Sequence, residues 1–490
     1  MEERGARPLT QRGVADVAEG NVTGDFDTWM QDSLWPAVSR TFPTGTVDAT
    51  TETVTNRLDV PVPCEHTDAI EAGVVEVKAF TQLEDQPKYH MELKLPAGVA
   101  YELGDYLEVY PHNIEEEMDS LLQVMRARGY DLSDPLISTM HSRLELHQPA
   151  SVKVINRSVG SSHGPLYLRI LEILRQGDQD ANYLTQQFQS LVEKCTDPED
   201  RIALQQVSAQ APSTTDKRPS ILQLLRHYPS IKLPLDKLAT MLPPLRPRQY
   251  SISSSPLVDP SSLKLTWSLI TRGPPSSLPD EPPTRGLASH YLAGLKPGDT
   301  LKCTVRRGNP RFRPVDLAAS SASSPSIPMI MICAGSGIAP FRAFIEHRAE
   351  LVRRQPCHHP RPLAVLYAGH RSHEHAPYAS ELESWRAAGV VDVRYAYSRG
   401  GAEAGQKGSA ARGRRVQDRI WEDRNEFRRL WEEGARVYVC GGRGIIHGVR
   451  EVVRGIYMEQ AEKRYGVAKE ADVEAWWVEA LREKFVVEVF

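Results

Sequence analysis

The sequence predicts a multidomain protein of mixed class: an antiparallel β-barrel carrying an inserted helical subdomain, followed by a parallel α/β domain. Three observations predict it. From about residue 70 apolar and polar residues alternate in short runs; the alternation gives way to helical periodicity over about 114–240 and resumes at 248. Beyond residue 328 short apolar runs alternate with amphipathic segments, as in a parallel sheet covered by helices. Between the two regimes lies "AASSASSPSIP" (318–328), which has the composition of a flexible linker.

The elements follow in order. Residues 1–45 start polar and run into "GDFDTWMQDSLWPAV", where Trp29, Leu34 and Trp35 are spaced for an amphipathic helix. Residues 46–67 are rich in Thr, Val and Pro and read as a linker. In "YHMELKL" (89–95) Tyr89, Met91, Leu93 and Leu95 alternate with polar residues, a half-buried strand, and "GDYLEVYP" (104–111) is expected to be its antiparallel neighbour. "IEEEMDSLLQVMRARG", "ANYLTQQFQSLVEK" and "PSILQLLRHYP" are helical. Strands return in "RQYSIS", "LKLTWSLITRG" and "PGDTLKCTV". In the last region "PMIMICA", "PLAVLYAG", "VVDVRYAYS" and "RVYVCG" are strands, each followed by a helical segment.

Composition narrows the function. A net charge of −4 and a pI near 6.5 leave no basic footprint for nucleic acid. No apolar run approaches a membrane span, and "MEERGARPLTQRG" lacks a secretory core, so the expectation is a soluble, cytoplasmic chain with no membrane anchor. The six cysteines form no C-x-x-C pair, and "CHHP" (357–360) with His370, His373 and His375 fits no structural zinc spacing, so no metal is expected.

The chemistry gathers in three places. "CAGSGIAPF" (333–341) follows a strand and opens a helix; Gly335, Ser336 and Gly337 suit a tight turn that receives phosphate, though alone they also fit a plain strand-to-helix turn. At the end of the third strand of that domain, where a doubly wound sheet receives the adenosine ribose, stand Ser398 and Arg399 in place of an acid, with "ARGRR" (411–415) after them. A hydroxyl and guanidinium groups suit a 2′-phosphate, which favours NADP over NAD. In "RQYSISSSP" (248–256) Tyr250 offers an aromatic face for an isoalloxazine ring, and Arg248, two residues away on the same side of a strand, a cation for its pyrophosphate. Downstream, "RGLASHYL" (285–292) offers Gly286, Leu287, Ala288 and Ser289 at a helix start as a second phosphate cradle.

In this order, Arg248–Pro256, Gly286–Ser289, Gly335–Phe341, Ser398-Arg399 and Val437–Gly441 resemble the diflavin reductases, the family of NADPH–cytochrome P450 reductase, and most of all the reductase half of fungal self-sufficient P450 fatty-acid hydroxylases. The resemblance covers roughly residues 15–490 and implies an FR-type FAD-binding barrel followed by a ferredoxin–NADP reductase-like domain. It implies that Arg248, Tyr250, Ser251 and Ser253 hold FAD, with Gly286, Leu287, Ala288 and Ser289 on its pyrophosphate. It places Gly335, Ser336, Gly337, Arg371, Ser398, Arg399, Arg414, Gln417 and Cys440 on NADPH. Ser251, Cys440 and Glu488 match the groups around the flavin N5, and Phe490 the terminal aromatic that covers the ring; "EKFVVEVF" then suggests a mobile lid.

There are departures from the family pattern. Glu488 stands where the family has Asp, Phe490 often where it has Trp, Gly442 where it has an acid, and His370 where it has Cys. Arg415 replaces a tyrosine, which leaves the 2′-phosphate partners open among Arg412, Arg414 and Arg415. The implied division is 1–45 as the remnant of a flavodoxin-like FMN domain, 46–67 as linker, 68–318 as the FAD barrel with its insertion, and 319–490 as the NADP(H) domain. FMN and haem are expected only in missing or partner domains: an FMN domain and a P450 haem domain in a longer chain or in trans. Rival readings are the FAD half of a sulfite-reductase-like or nitric-oxide-synthase-like protein, and a non-catalytic relic.

Overall fold

The computed structural model describes residues 68–80, 87–133, 137, 191–209, 219–242, 245–275, 277–314, 327–354, 364–399, 415–465, 473, 476–477, 479–480 and 484–489. The expected N-terminal helix, the linkers at 46–67 and 318–326, most of "ANYLTQQFQSLVEK", Arg412, Arg414 and Phe490 lie outside them. The chain divides into two compact units, one ending at Gly308 and the other beginning at Asn309.

The first unit contains β1 (Ile70–Ala79), β2 (Lys88–Lys94), β3 (Tyr106–Val109), helices α1 (Glu115–Ala127), α2 (Pro198–Ala209), α3 (Ile221–His227) and α4 (Leu235–Met241), then β4 (Arg248–Ser251), β5 (Ser262–Ser268), β6 (Thr271–Arg272), β7 (Thr284–Arg285), α5 (Leu287–Gly294) and β8 (Thr300–Arg306). Six strands form an antiparallel sheet in the order β4-β3-β8-β1-β2-β5. A bridge between Ile252 and Leu265 then brings the two ends together, closing the sheet into a barrel. Its core is made by the alternating apolar positions, among them Met91, Leu93, Leu107, Leu263, Leu265 and Leu301. The expected pairing of "YHMELKL" with "GDYLEVYP" is corrected: β2 lies between β1 and β5, and β3 between β4 and β8. The connector between β2 and β3 explains the difference. It is no tight turn, and it buries Leu95 and Tyr101 in the barrel core as the chain crosses to the far side.

The helical insertion enters between β3 and β4, which are hydrogen-bonded neighbours from Tyr106↔Ser251 to Val109↔Arg248. Its helices therefore leave and rejoin the barrel at one place. They have a core of their own: Met118, Leu121 and Met125 of α1 lie on one face and pack with Leu204, Leu224, Leu225 and Leu238. Three acids in the first turn of α1 complement the helix dipole. At its other end Arg128 donates to the carbonyls of Leu225, Tyr228 and Ile231.

The second unit contains β9 (Met329–Ala334), α6 (Ala339–Arg354), β10 (Ala364–His370), α7 (Ala379–Ala387), β11 (Asp392–Tyr397), α8 (Val416–Glu422), α9 (Arg424–Glu432), β12 (Arg436–Gly441), α10 (Arg443–Tyr465) and β13 (Phe485–Val489). All five strands are parallel, in the order β11-β10-β9-β12-β13. The strand order reverses between β9 and β12, the position where doubly wound sheets bind ligands at the carboxyl ends of their strands. Phe312 is buried against Phe341, Phe344 and Tyr438, and Tyr438 donates its hydroxyl to the Arg313 carbonyl. Residues 309–314 thus belong to this unit, ahead of the low-complexity stretch where the sequence suggested a boundary. The mobile lid expected of "EKFVVEVF" is corrected as far as Val489: Phe485–Val489 is the fifth strand, paired along its length with β12. Among the described residues no helix is long and apolar enough to cross a membrane.

Candidate functional site

In the barrel, "RQYSISSSP" does two jobs. Arg248, Tyr250 and Ser251 are partly exposed on β4, opposite Val109, Leu107 and Tyr106. The Tyr250 ring meets Trp267 edge-on at 6.5 Å, and Trp267 is stacked on Tyr89 at 5.5 Å. Burial pushes the Tyr250 phenol far up, so it stays neutral, an aromatic surface rather than an acid. The Arg248 guanidinium donates to the Arg246 carbonyl at 2.9 Å. The serines that follow are structural. Ser253 is fully buried; its N–H donates to the Lys264 carbonyl at 2.7 Å, and its hydroxyl accepts from Thr266 at 3.1 Å. The Ser254 hydroxyl accepts from the Lys264 N–H and bonds the Tyr101 hydroxyl, both at 2.9 Å. The Ser255 hydroxyl accepts from the Leu257 N–H. The hydroxyl cluster closes the barrel just beyond the partly exposed residues of β4.

Gly286 precedes α5, and no side chain caps that helix. A methyl group on Gly286 would lie 2.8 Å from the Ile270 Cβ and 2.9 Å from the Ser289 hydroxyl, so only glycine allows this approach. The Gly286 N–H donates to Ile270, the Ser289 hydroxyl donates back to the Gly286 carbonyl at 2.9 Å, and the Trp267 indole donates to the Ser289 carbonyl. Leu287, Ala288 and Ser289 bury their side chains, leaving the amides of the first turn as the polar feature.

In the α/β unit, β9 ends at Ala334, Gly335 follows with φ +60°, and a single 3-10 turn over Gly335–Ile338 leads into α6. A methyl group on Gly337 would stand 2.3 Å from the Cys440 carbonyl oxygen. The glycine turn is therefore pressed directly on the end of β12. Cys440 is buried, with Cys333 opposite on β9 and Glu488 opposite on β13. Burial, the Glu488 carboxylate and Cys333 push the Cys440 thiol well up, so at neutral pH it holds its proton. At the other side of the sheet the backbone ladder continues past the strands: Ser398 N–H donates to His370 and Arg399 N–H to Arg371, at 2.9 and 2.7 Å. Arg371, Ser398 and Arg399 are thus brought together at the carboxyl ends of β10 and β11, with Ser398 and Arg399 exposed. Gln417 lies on α8 against Gly448 of α10, in a groove that Trp421, Val452 and Gly455 also line.

The two regions define a class: a flavin-type barrel and a nucleotide-binding sheet of an oxidoreductase. Residues 62–291 match the FAD binding domain family and residues 331–451 the oxidoreductase NAD-binding domain family. The chain carries FAD- and NAD-binding oxidoreductase domains homologous to NADPH–P450 reductase, and it matches the reductase half of fungal self-sufficient P450 enzymes. It is 35% identical over 483 residues to the bifunctional cytochrome P450/NADPH–P450 reductase of Aspergillus oryzae, covering 96% of this chain and 41% of that protein. With the bifunctional enzyme of Fusarium oxysporum the identity is 31% over 496 residues, covering 100% and 43%. With a self-sufficient cytochrome P450 monooxygenase of Exserohilum turcicum it is 32% over 503 residues, covering 100% and 43%. The chain therefore spans about two-fifths of the length of these relatives.

Sequence reasoning missed Cys333 as the neighbour of Cys440, and Tyr101 and Thr266 as partners of the serine cluster. The first depends on parallel register and the others on long-range pairing, neither of which leaves a local pattern.

Proposed function

We propose that the chain is an FAD-containing, NADPH-dependent reductase module of the NADPH–cytochrome P450 reductase type, feeding electrons singly toward an FMN domain and a P450 haem domain, in a longer chain or in trans. The observation that carries this reading is the row Cys333–Cys440–Glu488 at the point where the strand order reverses, with Gly337 seated on the Cys440 carbonyl. A bound FAD would supply the chemistry of taking hydride from NADPH and releasing electrons singly.

The residues present fit both cofactors. Tyr250 offers a neutral aromatic face, Arg248 a cation on the same strand, and the glycine-opened first turn of α5 a set of amides for pyrophosphate. Gly335, Ser336 and Gly337 are assigned to the nicotinamide nucleotide, and Arg371, Ser398, Arg399 and Gln417, with Arg414, to its adenosine end. Two guanidinium groups and a hydroxyl give charge-assisted donors to a 2′-phosphate and nothing equivalent to a 2′-hydroxyl. Ser251 on the barrel, and Cys440, Glu488 and Phe490 on the α/β unit, are assigned to catalysis. The Cys440 thiol, kept protonated, serves as a hydrogen-bond donor and not as a thiolate nucleophile. Ser253 is assigned to barrel closure, through which it supports β4.

Purified protein should be yellow, and should reduce ferricyanide with NADPH far faster than with NADH. It should reduce cytochrome c poorly, since the FMN domain is the expected donor for that step. A folded, colourless protein that takes up no added FAD would overturn the proposal.

A further inference from the structure

We infer that the inserted helical subdomain is a working part of the flavin site: it clamps the chain segment leading into the Gly286 cradle, with Arg226 and Gln223 as positioning residues. The inference rests on the reading of that cradle as the flavin pyrophosphate site.

Four contacts carry it, all within the first unit. Leu278, in the connector between β6 and β7, is buried in the helical core with Met118, Leu121 and Leu225, and not in the barrel core. Arg226 of α3 donates to Glu281 at 2.7 Å and, through its other terminal nitrogen, to the Ser120 hydroxyl of α1 at 3.0 Å. The Gln223 amide also acts twice. Its oxygen accepts from the Ser220 N–H and completes the capping box of α3, and its nitrogen donates to the Thr284 hydroxyl at 3.2 Å. Arg285 pairs with Glu116 of α1. Gly286, whose approach to Ile270 admits no side chain, is the next residue.

The energetics sort these contacts. The Arg285–Glu116 pair is exposed and holds little. The Arg226–Glu281 pair is different: the Glu281 side chain is 10% exposed, and the same guanidinium ties α1, so losing it would leave a carboxylate largely out of water. A cradle made of backbone amides has no side chain to adjust, so its precision depends on what holds the backbone. Leu278, Glu281 and Thr284 are held by helices, with β6 pairing Thr284 and Arg285 at the end of the segment, while the ring-facing residues of β4 are held by the barrel.

The test is a titration of the deflavinated full chain with FAD, followed by flavin fluorescence. Arg226→Ala should weaken FAD binding about tenfold or more, Arg226→Lys should retain most of the affinity, and the exchange Arg226→Glu with Glu281→Arg should recover part of it. Thr284→Val, a smaller change in case Arg226→Ala fails to fold, should weaken binding severalfold. In both variants 2′,5′-ADP should bind as in the native chain, which separates loss of the cradle from general unfolding. FAD affinity within twofold of native in a folded Arg226→Ala or Thr284→Val variant would overturn the clamp alone. A native chain that takes up no FAD would instead remove the functional reading on which it rests.

Discussion

The barrel and the parallel sheet place their sites by opposite means. In the barrel, β4 is positioned on one side by Tyr106–Val109, from before the helical insertion, and the serines just past its end by Lys264, Leu265 and Thr266 of β5. The residues assigned to the flavin and those that close the barrel therefore follow one another within one nine-residue stretch. In the α/β unit the site is assembled from strand ends. Gly337 reaches Cys440 because β9 and β12 are adjacent at the reversal, and Arg399 reaches Arg371 because β10 and β11 continue their ladder. The first arrangement depends on polar side chains satisfied in a closed core; the second depends on backbone approach. Mutations should fail differently in the two regions.

The largest expected effect is at the backbone approach. Gly337→Ala adds a carbon 2.3 Å from the Cys440 oxygen and 2.9 Å from its carbonyl carbon. Neither atom belongs to a flexible side chain, so β9 and β12 must separate. A loss of about 2–4 kcal/mol of stability in the α/β unit is expected, together with loss of NADPH oxidation while FAD stays bound. Calorimetry and flavin content check it; an unchanged melting profile would contradict the close approach.

Next is the adenosine end. Arg399→Ala removes one charge-assisted donor, about 1.5–3 kcal/mol, so KM for NADPH should rise tenfold or more. Turnover with NADH should stay nearly unchanged. Equal effects on both nucleotides would show that Arg399 does not meet the 2′-phosphate.

The same contrast explains what was legible in the sequence. The α/β unit could be read nearly strand by strand, because each strand is followed by the helix that covers it and each neighbour lies a short segment away. Thus "PMIMICA", "PLAVLYAG" and "VVDVRYAYS" identified β9, β10 and β11, and the glycines at 335 and 337 marked the turn. The barrel's strands were equally visible as alternating runs, but their pairing was not. Their consecutive order suggests β2 and β3 as neighbours, whereas β2 pairs with β1 and β5, and β3 with β4 and β8. The serines of "RQYSISSSP" stood out in the sequence but their different settings did not, since nothing local distinguishes Ser251, partly exposed, from Ser253, sealed against Thr266. Glu488 was identified by position near the terminus, but the strand that holds it beside Cys440 was not.

A third effect belongs to the helical insertion. Burial raises the Glu117 carboxyl from 4.5 to about 8, against the opposing pull of Arg285 and Arg226 and with the push of Glu116. Between these values the folded chain keeps a proton that the unfolded chain has released, so stability falls as pH rises from 4.5 to about 8 and the loss is complete above that. Glu117→Gln should abolish this slope. It should raise stability by about 1–2 kcal/mol at pH 8 and change little near pH 4.5; denaturant melts at the two pH values check it. A gain of the same size at both would place the effect in packing instead of ionisation.

The smallest effect tests the division of labour inside the serine cluster. Tyr101 bonds the Ser254 hydroxyl at 2.9 Å and donates to the Ser262 carbonyl at 3.0 Å, both buried, at the seam where the barrel closes. Tyr101→Phe keeps the ring in the core and leaves these groups without their hydroxyl partner, a cost of about 1 kcal/mol. Because the seam only supports β4, flavin affinity and the rate of NADPH oxidation should hold at temperatures where the barrel stays folded, while its melting temperature falls by a few degrees. Ser251→Ala should show the reverse, with melting unchanged and NADPH oxidation slowed. If both variants lose activity and stability in parallel, the closing residues and the reacting residues of this stretch act as one unit, and the contrast with the α/β site disappears.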